Sequence, residues 1–211
     1  MTDPRAADRA EAARLVNVSR ETWARLEILV AELDRWQAKI NLVAPNTLAT
    51  VWTRHVADSA QLVAFAPADA HVWVDLGAGA GFPGLVVAAM LPGAEVHLVE
   101  SNGKKAAFLR EAARAMGVRV AVHAARAEQA LERLAADVVS ARALAPLGHL
   151  VGLAAPLLKT GALGLFPKGR EADTELTQAL QSWKFRASLH PSLTDRDARI
   201  VRVEAFEGPI G

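Results

Sequence analysis

From Trp23 to Trp36 apolar side chains recur every three or four positions: Trp23, Leu26, Leu29, Val30, Leu33 and Trp36. Ser19 stands where an N-cap belongs, and Arg25, Glu32 and Arg35 occupy the opposite face. This period predicts an amphipathic helix that ends near Asn41–Pro45 and buries one stripe. A shorter helix is expected over Trp52–Phe65, closed by Pro67. Beyond His71 the pattern changes. Short apolar runs at 72–74, 95–99, 118–122 and 137–139 read as strands, with helices predicted at 84–90, 103–116 and 146–158. Residues 162–166 predict a fifth strand, 171–181 a further helix, and 184–190 with 198–206 an antiparallel pair at the edge. Strand–helix–strand alternation at this spacing means right-handed crossovers and a mainly parallel seven-stranded sheet with helices on both faces, an α/β fold. The change of pattern divides the chain into an N-terminal helical extension, 1–68, and a sheet domain, 69–211.

The 211 residues carry 24 Lys+Arg against 23 Asp+Glu, so there is no global attraction to polyanions and any nucleic-acid contact must be local. Eighteen of the 24 bases are Arg, a bias that a GC-rich genome also produces. There is no Cys, which excludes a disulfide framework, a thiolate metal site and a cysteine nucleophile. The six His stand at 55, 71, 97, 123, 149 and 190 with no close pair, so no metal is expected. The most apolar stretch, 144–166, is interrupted by Pro146, His149, Pro156 and Lys159, so no membrane span is expected. Met1–Arg14 lacks the apolar core of a signal peptide, and a cytoplasmic protein is the default expectation.

The strongest local signal is Val72–Gly84, where an apolar strand runs through Asp75 into Gly77, Gly79 and Gly81, and a helix opens near Pro83. Glu100 ends the second strand 23 residues after Gly77, where a carboxylate accepts both hydroxyls of a ribose. Gly79-x-Gly81-x-x-Gly84 also matches a dinucleotide fingerprint superficially, so NAD must be weighed, as must a glycine turn that binds nothing. Asp75 favours S-adenosylmethionine: Asp-x-Gly-x-Gly-x-Gly is the pattern of class I methyltransferases that use it. A pyrophosphate is better served by a helix N-terminus than by an added carboxylate, whereas a cationic methionine end suits one. Ala125–Glu128, after the third strand, then lies beside the adenine, although Glu128 is equally readable as a first-turn acid on a helix.

The residue inventory restricts the acceptor. Methylation at pyrimidine C5 needs a cysteine, and the loop used for exocyclic amines, Asn/Asp-Pro-Pro-aromatic, is replaced by Ser140-Ala141-Arg142-Ala143-Leu144-Ala145-Pro146. An arginine at the sheet's mouth pairs with a phosphate, a carboxylate or the Hoogsteen edge of guanine. It also suits a purely structural ion pair with Asp75 or Glu100. A nucleophile with a free lone pair, such as guanine N7, needs positioning rather than a general base.

The chain resembles the bacterial 16S ribosomal RNA guanine-N7 methyltransferase G family, also called glucose-inhibited division protein B. The matching blocks, in order, are Trp36 with Asn41-Leu42, Arg54-His55-x-x-Asp58-Ser59, the Asp75–Gly84 loop, Glu100-Ser101-x-Gly103-Lys104-Lys105-x-x-Phe108-Leu109, Arg126-Ala127-Glu128, Arg142-Ala143 and Lys168-Gly169. The Arg54–Ser59 block discriminates, because generic methyltransferases lack it. The resemblance implies a class I S-adenosylmethionine-dependent fold and methyl transfer to N7 of a guanine in 16S rRNA, on the rRNA or the 30S subunit, by a monomer. It implies cofactor contacts at Gly77, Phe82, Ala127, Glu128 and Arg142, to which the loop and second strand add Asp75, Gly79, Gly81, Glu100 and Ser101. Arg142 and Lys168 are expected to flank the methyl group and the guanine. Two departures stand out: Ala141 precedes Arg142 where the family commonly has Ser, and a C-terminal Glu-Arg element is matched only loosely by Asp197-Ala198-Arg199.

Phosphate or guanine contacts are expected from Arg54, His55, Lys104, Lys105, Lys168 and Arg170. Residues 100–133 hold seven bases against four acids, a local excess that a solvated helix face would also give. The five Trp fall mostly on apolar faces, which favours core over stacking platforms. Arg54 and Asp58 are spaced as a helical ion pair. Three alternatives stay open: a methyltransferase of this fold acting on a small molecule or protein, a non-catalytic rRNA-binding factor, and an NAD enzyme.

Overall fold

The computed structural model describes residues 4–210; residues 1–3 and 211 lie outside the described residues. Helices α1 (Pro4–Leu15) and α2 (Arg20–Gln37) open the chain. Ser19 caps α2 as the sequence predicts, its hydroxyl accepting the Thr22 N–H at 3.1 Å, and Leu26, Leu29, Val30 and Leu33 are buried. The helix stops at Gln37, short of Asn41. Gln37 turns back on the chain: its Oε1 accepts the Leu42 and Val43 N–H groups, and its Nε2 donates to the Val43 carbonyl. After a 3₁₀ turn at Pro45–Thr50, the expected helix 52–65 is a succession of short turns instead: a π-helical turn at Trp52–Ala57, α3 (Asp58–Ala60) and a second 3₁₀ turn at Gln61–Phe65.

The sheet follows the predicted alternation. In chain order come β1 (Val72–Leu76), α4 (Gly84–Met90), β2 (Glu95–Val99), α5 (Gly103–Met116), β3 (Val120–His123), α6 (Ala127–Ala130), β4 (Val138–Ala141), α7 (Leu147–Leu158), β5 (Leu163–Lys168), α8 (Ala172–Ala179), β6 (Trp183–Pro191) and β7 (Arg199–Pro209). The seven strands lie in the order β3-β2-β1-β4-β5-β7-β6, all running one way except β7, which is antiparallel to both of its neighbours, β5 and β6. Asp137 belongs to no strand. Its carboxylate accepts the His71 and Val72 N–H groups at 2.7 and 2.8 Å, which holds its pKa below the usual range and pins the start of β1.

Strand alternation sends Trp73, Val96 and Leu98 to a core shared with α2, α4 and α5, and sends Val74, Leu76, Val99 and Val139 to a second core under α7. Fully buried Phe108 lies in the first, where burying such a side chain is worth about 2–3 kcal/mol. Because α2 contributes to the same core as the sheet, the helical extension covers one face of the fold. No described helix is long and apolar enough to cross a membrane.

Candidate functional site

The β1–α4 loop is folded by its own carboxylates. Asp75 is fully buried, aligned with Ser140 across the β1–β4 pair. Its Oδ2 accepts the Gly84 N–H at 2.9 Å, and its Oδ1 accepts the Ser140 hydroxyl at 2.8 Å, which in turn accepts Trp73 Nε1–H. A Cβ on Gly84 would sit 2.2 Å from Leu98 Cδ2 and 2.9 Å from Asp75 Oδ2, so only glycine lets α4 start against the strand. Gly81, at φ +81°, combines a left-handed backbone with a Cβ position 2.4 Å from Leu85. Asp75 lines neither cavity described below; it stabilises the loop from beneath, where a contact to the methionine end was expected. Glu100 is also largely spent on backbone: its Oε2 accepts the Gly79 N–H at 2.9 Å and its Oε1 the Asn102 N–H at 2.7 Å, joining the loops after β1 and β2.

Two cavities open at the C-terminal ends of the parallel strands. The first, about 420 Å³, is lined by Gly77, Glu100, Ser101, Ala127 and Glu128 among others. The second, about 470 Å³, reaches from Phe82 and the Pro45–Thr50 turn to Lys168 and the β6–β7 connection. They share five residues: Gly77, Gly79, Lys105, Arg142 and Ala143. The expected adenosine-side residues Glu100, Ser101, Ala127 and Glu128 are thus brought to one cavity, with Arg142 on the wall between the two. Ala143 has φ +53°, a left-handed conformation that costs a non-glycine residue about 1 kcal/mol and carries the chain sharply away after Arg142.

Arg142 is held from three sides. Its guanidinium donates to the Arg54 carbonyl at 3.0 Å, to His55 Nδ1 at 2.9 Å and to Asp58 Oδ2 at 3.3 Å, and lies 5.4 Å from the Phe82 ring centre. Its carboxylate partner is therefore Asp58, not Asp75 or Glu100. The π-helical turn explains the geometry. The Asp58 N–H bonds to the Thr53 and His55 carbonyls rather than to that of Arg54, which accepts from Arg142. The turn is capped from α1, where the Asp8 carboxylate accepts the Trp52 and Thr53 N–H groups. Asp58 does not form the pair with Arg54 that the helical spacing predicts. It is buried and also accepts from Gln61 Nε2 and Thr194 Oγ1, both at 2.9 Å, whereas Arg54 turns outward to Asp195 at 3.7 Å.

His55 is stacked on Phe82, ring centres 5.2 Å apart. An arginine only donates, so Nδ1 must accept and the ring proton sits on Nε2, directed at Thr47 Oγ1 2.8 Å away; that hydroxyl donates in turn to the Ala44 carbonyl. Both ring nitrogens are committed inside the protein, so His55 braces Arg142 and leaves neither for the phosphate contact the sequence predicts. Burial, then Arg142 and Arg54, push its pKa down to about 3. Burial pushes the Asp75 carboxyl up to about 7, against the pull of Ser140, Gly84 and Arg142. The signs oppose. The stability contributed by neutral His55 is complete above pH 6.5 and declines as pH falls toward 3; that of Asp75 declines as pH rises from 3.8 to about 7. In urea unfolding at pH 5 and pH 8, the protein should therefore gain on a His55→Gln variant at the higher pH and lose ground to an Asp75→Asn variant.

Lys168 is enclosed: its ammonium lies 2.6 Å from Glu175 Oε2 and donates to the Ala145 carbonyl at 2.8 Å, with 9% of the side chain exposed. This removes it from the phosphate contacts, though it lines the larger cavity. Lys105 lines both cavities, while Lys104 and Arg170 are exposed outside them, Arg170 beside Asp197 at 3.5 Å. Arg199 also lines the larger cavity. Trp73 and Trp52 are buried and the other Trp half-buried, in keeping with core positions. Thr47, Thr194 and Glu175 escape sequence reasoning: each reaches the site by tertiary packing, and nothing near them in the chain marks a function.

The family described as rRNA small subunit methyltransferase G matches residues 22–199. The chain is 51% identical over 208 residues to the ribosomal RNA small subunit methyltransferase G of Methylobacterium sp. (strain 4-46), covering 96% of this chain and 98% of that one. It is 54% identical over 207 residues to that of Rhodopseudomonas palustris (strain BisB18), covering 96% and 88%. Among solved structures, a ribosomal protein L11 methylase from Lactobacillus delbrueckii subsp. bulgaricus superposes with a TM-score of 0.56 at 17% identity, over 72% of this chain and 78% of that one, a likeness of fold.

Proposed function

The chain belongs to the rRNA small subunit methyltransferase G family, and we propose that it transfers a methyl group from S-adenosylmethionine to N7 of a specific guanine in 16S rRNA. The observation that carries this reading is the pair of cavities meeting at Arg142, one that brings Glu100 and Glu128 together as a nucleoside needs and one broad enough for a base. The residues present fit the cofactor. Glu100 and Ser101 at the end of β2 and Ala127 with Glu128 at the start of α6 would hold the adenosine, and Gly77 and Gly79 let the loop backbone approach the remainder. Bound S-adenosylmethionine supplies an electrophilic methyl group. The protein's part is positioning: guanine N7 already carries a lone pair and releases no proton on methylation, so no side chain must act as a base. Arg142, fixed by Asp58 and His55 over Phe82, has donors to offer a purine's Hoogsteen edge without conformational search. Arg54, Lys104, Lys105 and Arg170 remain the candidate phosphate contacts. Residues 1–68 act as an extension that builds the acceptor wall against the 69–211 domain, and the protein works as a cytoplasmic monomer on 16S rRNA or the 30S subunit, away from membranes.

Two measurements test this reading. Calorimetric titration should give saturable binding of S-adenosylmethionine, and none of NAD. Mass mapping of 16S rRNA from cells with and without the protein should show one guanine methyl lost in its absence. Unchanged rRNA or no heat with the methyl donor overturns the assignment.

A further inference from the structure

We propose that Glu175 selects the acceptor base, accepting hydrogen bonds from the N1–H and 2-amino group of guanine while N7 faces the shared wall at Arg142. The proposal rests on the guanine-N7 reading above.

Two carboxylates line the larger cavity, Asp58 and Glu175. Asp58 is committed: Oδ1 to Gln61 and Thr194, Oδ2 to Arg142. Glu175 is only half so. Its Oε2 accepts the Leu147 N–H at 2.6 Å and lies 2.6 Å from Lys168 Nζ, whereas Oε1 takes no hydrogen bond among the described residues. Those two ties fix the side chain: Leu147 is the first residue of α7, and Lys168, fastened to the Ala145 carbonyl, ends β5. Glu175 is thus a carboxylate on the wall of a cavity sized for a base, preset by its own structure and with one oxygen to spare. It lines only the larger cavity and lies outside the set shared with its neighbour.

The chemistry of the acceptor matches. With N7 turned to the shared wall, a purine keeps its Watson–Crick edge toward the rest of the larger cavity. Guanine offers two donors on that edge; adenine offers an acceptor at N1, which a carboxylate repels. In the transfer the N7 lone pair forms the new N–C bond, and the electrons of the broken S–C bond stay on sulfur. The positive charge therefore passes to the guanine ring, whose N1–H becomes more acidic. A carboxylate hydrogen-bonded there gains strength along the reaction, so it favours the transition state over the bound substrate.

The test uses the intact protein and 16S rRNA carrying, at the position mass mapping identifies, either guanosine or a single ligated inosine, which lacks the 2-amino group. The unaltered protein should methylate the inosine RNA with kcat/KM lower by roughly tenfold or more. In Glu175→Gln the amide oxygen stays with Leu147 and Lys168, placing an NH2 donor where Oε1 was; the guanosine:inosine ratio should fall to within about twofold of one. Glu175→Asp keeps the charge beside Lys168 but withdraws the oxygen, and should lower the ratio in the same direction. S-adenosylmethionine affinity, read by calorimetry, should be unchanged in both. Equal rates on the two RNAs, or variants that keep the full ratio, overturn the assignment of Glu175. Absence of methyl transfer to the guanosine RNA overturns the underlying reading instead.

Discussion

Arg142→Ala is expected to lower kcat/KM for methyl transfer to 16S rRNA by about 100-fold or more, a loss of the size seen when one preorganised donor is removed from a reacting centre. Arg142 is the one charged side chain besides Lys105 on the wall common to both cavities, and its direction is set by three fixed acceptors, a carbonyl, an imidazole nitrogen and a carboxylate. Only a planar guanidinium spans all three, so Arg142→Lys should recover little, although it keeps the charge. Initial rates with saturating S-adenosylmethionine, taken at a temperature where circular dichroism shows each variant folded, separate this from a folding defect. A variant within about threefold of the unaltered protein would remove Arg142 from the reaction.

The fold was legible wherever local chemistry and tertiary packing agree. β2 at Glu95–Val99, α4 at Gly84–Met90 and α5 at Gly103–Met116 lie where the pattern places them. For α5 the reason is visible in the chain: Asn102 caps its first turn, accepting the Lys104 and Lys105 N–H groups, and Gly117 ends it in the left-handed conformation. The segment 52–65 was legible only as helical. Its π turn depends on Asp8 in α1 and on an arginine from the β4–α7 connection, partners that no periodicity reveals. α1 was missed because its apolar positions are mostly Ala, and short α6 lacks a full turn of pattern.

The site divides in the same way. Gly77, Glu100, Ala127, Glu128 and Arg142 could be placed because they follow strands, and parallel strand ends converge. Asp75 precedes the glycines, which in sequence points it at the ligand; strand alternation and the pairing with Ser140 turn it inward. Lys168 and His55 stand in the sequence as candidate phosphate or guanine contacts. Whether a charge is free depends on what packs beside it, here Glu175 on α8 and Arg142, and that is not written in local sequence.

Asp58→Ala should be the most destabilising single change in the site, costing about 3–5 kcal/mol, the range for removing one partner of a buried ion pair. Asp58 joins three parts of the chain: Arg142 from the β4–α7 connection, Gln61 one turn on in its own segment, and Thr194 from the β6–β7 connection. Gln61 extends the junction, donating to Ser192 Oγ and accepting the Leu193 N–H at 2.8 Å. With the carboxylate gone, the guanidinium keeps its charge against neutral His55, which burial and two arginines already hold unprotonated, and the β6–β7 connection loses its anchor. Asp58→Asn retains an acceptor for Thr194 but not the charge, so its loss should fall between. Urea unfolding measures the stabilities, and hydrogen exchange at Leu193 and Thr194 should accelerate in Asp58→Ala well before global unfolding. A loss below about 1 kcal/mol, with exchange unchanged at those amides, would mean that the helical extension and the C-terminal hairpin meet over the cavity without being coupled through Asp58.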